Sequence, residues 1–123
     1  MTKTRLALGT AWLGALFFLF TGAWALVDPH SFFDVLATYP PYNRHLFHDV
    51  GAFQLGLAAG VLAGIAERRP LAVGLWAGAV GATLHAFSHW IDIDSGGRDT
   101  DPYFLTALAV VLVAGLIATE VRR

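Results

Sequence analysis

Two histidines four residues apart, His85 and His89, stand near the end of an apolar run and are followed by Asp92 and Asp94 in the stretch HAFSHWIDID. Imidazoles at i and i+4 share one face of a helix and can aim nitrogens at a single ion. Helical zinc-protease motifs use that spacing, although the general-base glutamate of H-E-x-x-H is missing here. A third ligand from Asp92, Asp49 or His45 would complete a His/carboxylate set suited to zinc, or to iron or manganese with open positions. The expected metal ligands are therefore His45, His85, His89 and Asp92, with Asp49 orienting a ligand or acting as a base. A b-type haem is a second reading. His85 and His89 share a face and cannot both ligate one iron, so the axial pair would be His45 and His89; no covalent attachment motif is present. A purely structural reading stands beside both: Asp49 accepts a hydrogen bond from His89 or His85 and pins two helices, a contact worth about 1 kcal/mol.

The chain has no cysteine, which removes disulfides, thiolate metal sites and cysteine nucleophiles and disfavours copper(I). A net charge of -1 argues against a nucleic-acid partner.

The elements that must position these residues are apolar. Of 123 residues 56% are hydrophobic and 14% charged, where a soluble domain carries about a quarter charged residues. Four blocks, at about residues 6–27, 46–66, 71–91 and 103–119, are close to the ~20 residues needed to cross a bilayer as helix. No block alternates polar and apolar as a strand would. The expectation is one domain, residues 1–123, of the all-α class: a four-transmembrane-helix bundle, N-in/C-in, with a short interfacial helix between helices 1 and 2. The first block also has the flanks of a signal peptide, Lys3 and Arg5 before it and Ala23-Trp24-Ala25 behind, but its apolar run is longer than a signal core.

Orientation follows from the basic residues. Lys3, Arg5, Arg68, Arg69, Arg122 and Arg123 lie at one set of helix ends, and only Arg44 and Arg98 at the other. By the positive-inside rule both termini and the turn at residues 67 to 70 face the cytoplasm, with the protein integral to the plasma membrane. All five histidines (His30, His45, His48, His85 and His89) and all seven aspartates then fall in the outer half. Acidic residues contribute little to topology, so this bias points to a polar, outward-facing site. In the outer segment of residues 28–45, Phe32, Val35, Leu36 and Tyr39 lie at helical spacing, which predicts a short amphipathic helix ended by Pro40-Pro41.

Two stripes place the polar residues. Gly74, Gly78, Gly81, His85, His89 and Asp92 follow steps of three and four along helix 3, and His45, Asp49, Ala52, Gly56, Gly60 and Gly64 do so along helix 2. Small residues allow close helix approach, so the two stripes are expected to face each other. In an antiparallel hairpin Asp49 is then level with His89, and His45 with Asp92 or Ile93. His85, 14 residues beyond Leu71, sits ~21 Å up its helix, about 9 Å below the outer edge of a hydrocarbon core about 30 Å thick. An ionisable residue at that depth is a functional candidate. Gln54, on another face of helix 2, is expected to hydrogen-bond a neighbouring helix. The loop DIDSGGRDTD lacks the register and final glutamate of a calcium loop.

The segments YNRHLFHDVGAFQLGLA and HAFSHWIDID resemble a family of small bacterial four-helix membrane proteins, DoxX-like in size and topology and largely uncharacterised. Its pattern looks like N-x-H-L-x-x-D-x-G-A in helix 2 and H-x-x-x-H in helix 3. Here the matching positions are Asn43, His45, Leu46, Asp49, Gly51, Ala52, His85 and His89. The resemblance implies a third histidine in many members where this chain has Asp92, an exchange that keeps a ligand type and weakens a tris-histidine set. The resemblance implies the four-helix topology and no particular activity. Two functional classes follow from the residues. One is a membrane protein binding a divalent metal (zinc, iron or manganese), acting as oxidoreductase or hydrolase on a lipid or quinone-like substrate. The other is a non-catalytic scaffold whose His/Asp cluster holds the fold. Membrane lipid is the expected partner, with a homo-oligomer or larger membrane complex open because glycine stripes can pack between chains.

Overall fold

The computed structural model describes residues 2–67 and 71–120. They form five helices, α1 (Thr2–Val27), α2 (Pro29–Val35), α3 (Arg44–Glu67), α4 (Leu71–Ile91) and α5 (Asp101–Glu120), with no strand among the described residues. All but α2 are long and apolar enough to cross a membrane. The architecture is the expected all-helical four-span bundle with one short added helix. It fits a small integral membrane protein, because large side chains such as Phe20, Phe53, Val73, Leu84, Phe87 and Val110 stand exposed on the outer faces. Such a surface needs an apolar surrounding. The Arg68-Arg69-Pro70 part of the expected turn and the basic pair Arg122-Arg123 lie outside the described residues.

Local chemistry sets the boundaries. The Asp28 carboxylate accepts from the Ser31 backbone amide at 3.1 Å, and Pro29 follows the cap, so α2 starts directly after α1. The Asn43 side-chain oxygen accepts from the Leu46 amide at 3.2 Å and caps α3, which begins at Arg44, two residues before the apolar block. Pro102 is tolerated in the first turn of α5, which begins at Asp101 rather than 103.

The long helices form a ring in the order α1, α3, α4, α5, and α1 and α4 touch only lightly across it. At the end carrying the termini they meet on small side chains. Ala7, Ala11, Ala15 and Phe18 run down one face of α1 and are buried with Leu75, Ala79, Leu112 and Leu116. Nearer the other end, α1 and α3 approach backbone to backbone: a Cβ on Gly51 would stand 2.8 Å from the Gly22 carbonyl oxygen, so the crossing requires glycine.

α3 and α4 pack antiparallel in the expected register, with Leu57 against Gly81 and Val61 against Gly74 and Gly78. The face of α3 differs from the expected one. A Cβ on Gly56 or Gly60 would meet nothing within 4 Å, and Ala52 is exposed; Gly60 meets α4 only through its carbonyl, beside Gly74, while Leu57 and Val61 turn side chains towards α4. In lipid a glycine stripe gains nothing from burial as such, so it can face acyl chains as readily as a helix.

Candidate functional site

At the end carrying α2 and the α4–α5 loop, the bundle borders a partly open cavity of about 260 Å³. All five helices contribute to its wall: Phe17 and Thr21, Phe32, Phe47, Val50 and Gln54, His85 and His89, then Asp101, Phe104 and Leu105. The connecting segment adds Leu36, Ala37, Tyr39 and Pro41. The α2 wall is fixed by edge-on aromatic contacts of Phe32 with Trp24 and Phe47, at 5.6 and 5.8 Å between ring centres.

His85 and His89, one turn apart on α4, bring their Nε2 atoms to 3.2 Å. Their rings are edge to face at 4.9 Å. The Tyr39 hydroxyl lies 2.9 Å from His89 Nδ1, and its ring stands edge-on to the imidazole. Burial, and then the charges of Asp101 and Asp92, raise the Tyr39 phenol above its ordinary 10.0 and keep it protonated. Tyr39 can therefore donate to His89 Nδ1. A neutral His89 then carries its hydrogen on Nε2 and donates to His85 Nε2. Two hydrogen bonds in series thus connect the covering segment to the cavity wall.

Tyr39 is held from outside by the α4–α5 loop. The Gly97 amide donates to the Thr38 carbonyl at 2.9 Å, and the Arg98 guanidinium donates to the Val35 carbonyl. Gly97 has φ +80°, and a Cβ there would lie 2.6 Å from the Tyr39 ring, so this position needs glycine on both counts. On the α1 and α3 side, the Thr21 hydroxyl donates to the Phe17 carbonyl at 2.7 Å and also meets the Gln54 side chain. The Gln54 atom facing the Thr21 hydroxyl is its side-chain oxygen, so the two carbonyl-type acceptors share one hydroxyl donor. The expected bond from Gln54 to a neighbouring helix is this one.

The five side chains expected to converge fall into separate places. His85 and His89 line the cavity as a pair. His45 and Asp49 pair with each other at 3.5 Å, 86% and 53% exposed, and neither lines the cavity. Asp92 is exposed in the turn after α4 and is also outside the lining. Among the described residues no group of three or more His, Asp or Glu side chains is arranged to hold an ion. The cause is rotation rather than depth. With Leu57 and Val61 facing α4, the same side of α3 continues through Gln54, Val50 and Phe47 into the cavity. Asp49 is turned ~100° away from Val50, as any neighbour in a helix is. The haem pair His45 and His89 is parted in the same way.

Tyr39 and Asp101 are members of the site that the spacing of histidines did not reveal. Tyr39 was legible only as part of an amphipathic pattern. Asp101 lies beyond the apolar blocks in a loop-like stretch, where its role in the first turn of α5 has no helical period to mark it. Compared with protein-family models, with curated proteins and with solved structures, the chain finds no match.

Proposed function

We propose that this is a small integral membrane protein that binds a lipophilic molecule with a polar head, of the quinone or lipid class, in the cavity beside His85. One observation carries the reading: a cavity of about 260 Å³ whose wall is mostly aromatic and aliphatic also presents two imidazoles and a tyrosine hydroxyl. Apolar walls with a few placed polar groups are the usual make-up of small-molecule sites, and this volume suits a single-ring head group. His85 is the hydrogen-bonding partner for a ligand oxygen, and His89 and Tyr39 hold it in orientation. An oxidoreductase or hydrolase would use the same imidazole to exchange a proton with the bound molecule. The plasma membrane, with both termini cytoplasmic and the cavity towards the outside, follows from the distribution of Lys3, Arg5, Arg68, Arg69, Arg122 and Arg123. The DoxX-like resemblance is part of the same proposal, and in it Asn43 is a helix cap and Gly51 a helix crossing.

Titration of the purified chain in detergent with a short-chain 1,4-benzoquinone, read by saturable quenching of tryptophan fluorescence, tests the reading. Saturable binding is expected, weakened about tenfold by His85→Ala through loss of one hydrogen bond. It should be abolished by Val50→Trp, which fills the cavity. Quenching that does not saturate, or that is unchanged in both variants, would count against it. The second reading, a structural polar contact, is favoured by the Tyr39–His89 bond, which joins residues 50 apart in sequence. Unfolding of His89→Ala, with no ligand bound by the parent protein, would support it.

A further inference from the structure

Two neutral imidazoles whose Nε2 atoms face each other have one position between them, and either a hydrogen or a cation can take it. A metal ion holds imidazole nitrogen at ~2.0–2.1 Å, and tetrahedral geometry then sets two such nitrogens ~3.3–3.4 Å apart. The separation of His85 Nε2 from His89 Nε2 is 3.2 Å, close to that bite. Both rings rise from one helix at i, i+4, so the separation is set by the backbone rather than by a mobile loop. The remaining ring nitrogen of His89 has an oxygen partner, Tyr39 at 2.9 Å, which is the outer contact that orients a ligating imidazole. The cavity on the open side leaves room for water or a ligand oxygen, and the Asp101 carboxylate in the same wall supplies compensating negative charge.

We infer that His85 and His89 form a two-imidazole site, open to the cavity, for a nitrogen-preferring divalent transition cation of the zinc, cobalt or nickel class. Hard, oxygen-seeking calcium and magnesium are poor occupants of such a pair. The ligand set is narrower than the one the sequence pattern predicts, since His45 and Asp92 are not members. The inference stands apart from the lipophilic-ligand reading, because the ion binds with water alone in its free positions. In its bound form His89 donates from Nδ1 to the Tyr39 oxygen, the opposite tautomer from the hydrogen-bonded pair.

The test is a cobalt(II) titration of the full, tag-free chain in detergent at near-neutral pH, read by visible ligand-field absorption. The chain has no cysteine, so a thiolate cannot produce the signal. The expected result is one cobalt per chain, displaced by zinc and not by magnesium. His85→Ala and His89→Ala should each weaken binding at least ~10-fold, and Tyr39→Phe by about tenfold, the usual effect of removing an outer contact. A His30→Ala/His45→Ala double variant removes the exposed histidines that pair with Asp34 and Asp49, and it should leave the spectrum intact. Absence of a one-equivalent spectrum in the parent protein overturns the inference, whatever the variants do. A spectrum that survives His85→Ala or His89→Ala, or that is lost in the double variant, overturns it as well. Quinone binding without cobalt binding would remove the metal site and leave the proposed function standing.

Discussion

At the end carrying the termini, the helices meet through Ala7, Ala11, Ala15, Leu75 and Leu112, each at most 1% exposed. At the other end the same helices, joined by α2, surround about 260 Å³ of open space bordered by Phe32, Phe47, Tyr39 and the histidines. Both ends are made of apolar residues, and the difference lies in side-chain size and polar partners. Small residues at the first end let backbones approach closely. Rings at the second end pack edge to face along the wall, and hydrogen bonds such as Tyr39 to His89 fix that wall in place. The bundle therefore joins a closely packed half to a hollow half.

Truncations should expose that contrast. Leu112→Ala, in the closed half, is expected to cost about 2–5 kcal/mol through the void it leaves. Val50→Ala, on the cavity wall, should cost ~1 kcal/mol or less, because its side chain already borders space. Unfolding in mixed micelles followed by helical circular dichroism measures both, and equal costs would erase the distinction between the halves. Gly51→Ala tests the boundary between them. Its new methyl would meet the Gly22 carbonyl and should destabilise by about 1–3 kcal/mol in the same assay. A similarly small effect is expected of Tyr39→Phe, about 1 kcal/mol for one hydrogen bond, with helix content unchanged. If that variant instead lost helical structure, the hollow half would depend on the tyrosine for its fold rather than for the orientation of His89.

The four spans were legible because length and hydropathy alone define them. The starts of α3 and α5 were displaced because Asn43 and Pro102 act outside the apolar blocks that mark a span. The register of α3 on α4 was legible from chain continuity, and Leu57 against Gly81 agrees with it. Which face of α3 turns inward was not. In water, the polar side of a helix reveals the other side as its interface; in lipid both sides are apolar, and Ala52 and Gly56 gave a false direction. The His85 and His89 pair was readable since one helix carries both. Tyr39 depends on a fold-back across 50 residues, and no local pattern encodes that.

The grip of the α4–α5 loop on the covering segment has a kinetic meaning. Residues 36 to 41 form one wall of the cavity, and their outer hold includes the Gly97 amide on Thr38 and the Arg98 guanidinium on Val35. Neither donor touches the imidazoles. On the proposed ligand reading, releasing one of them, as in Arg98→Ala, is expected to loosen the wall without removing a group that the ligand contacts. Entry and exit would quicken together while the dissociation constant holds still. On the proposed ligand reading, the loop would set residence time through its hold on residues 36 to 41.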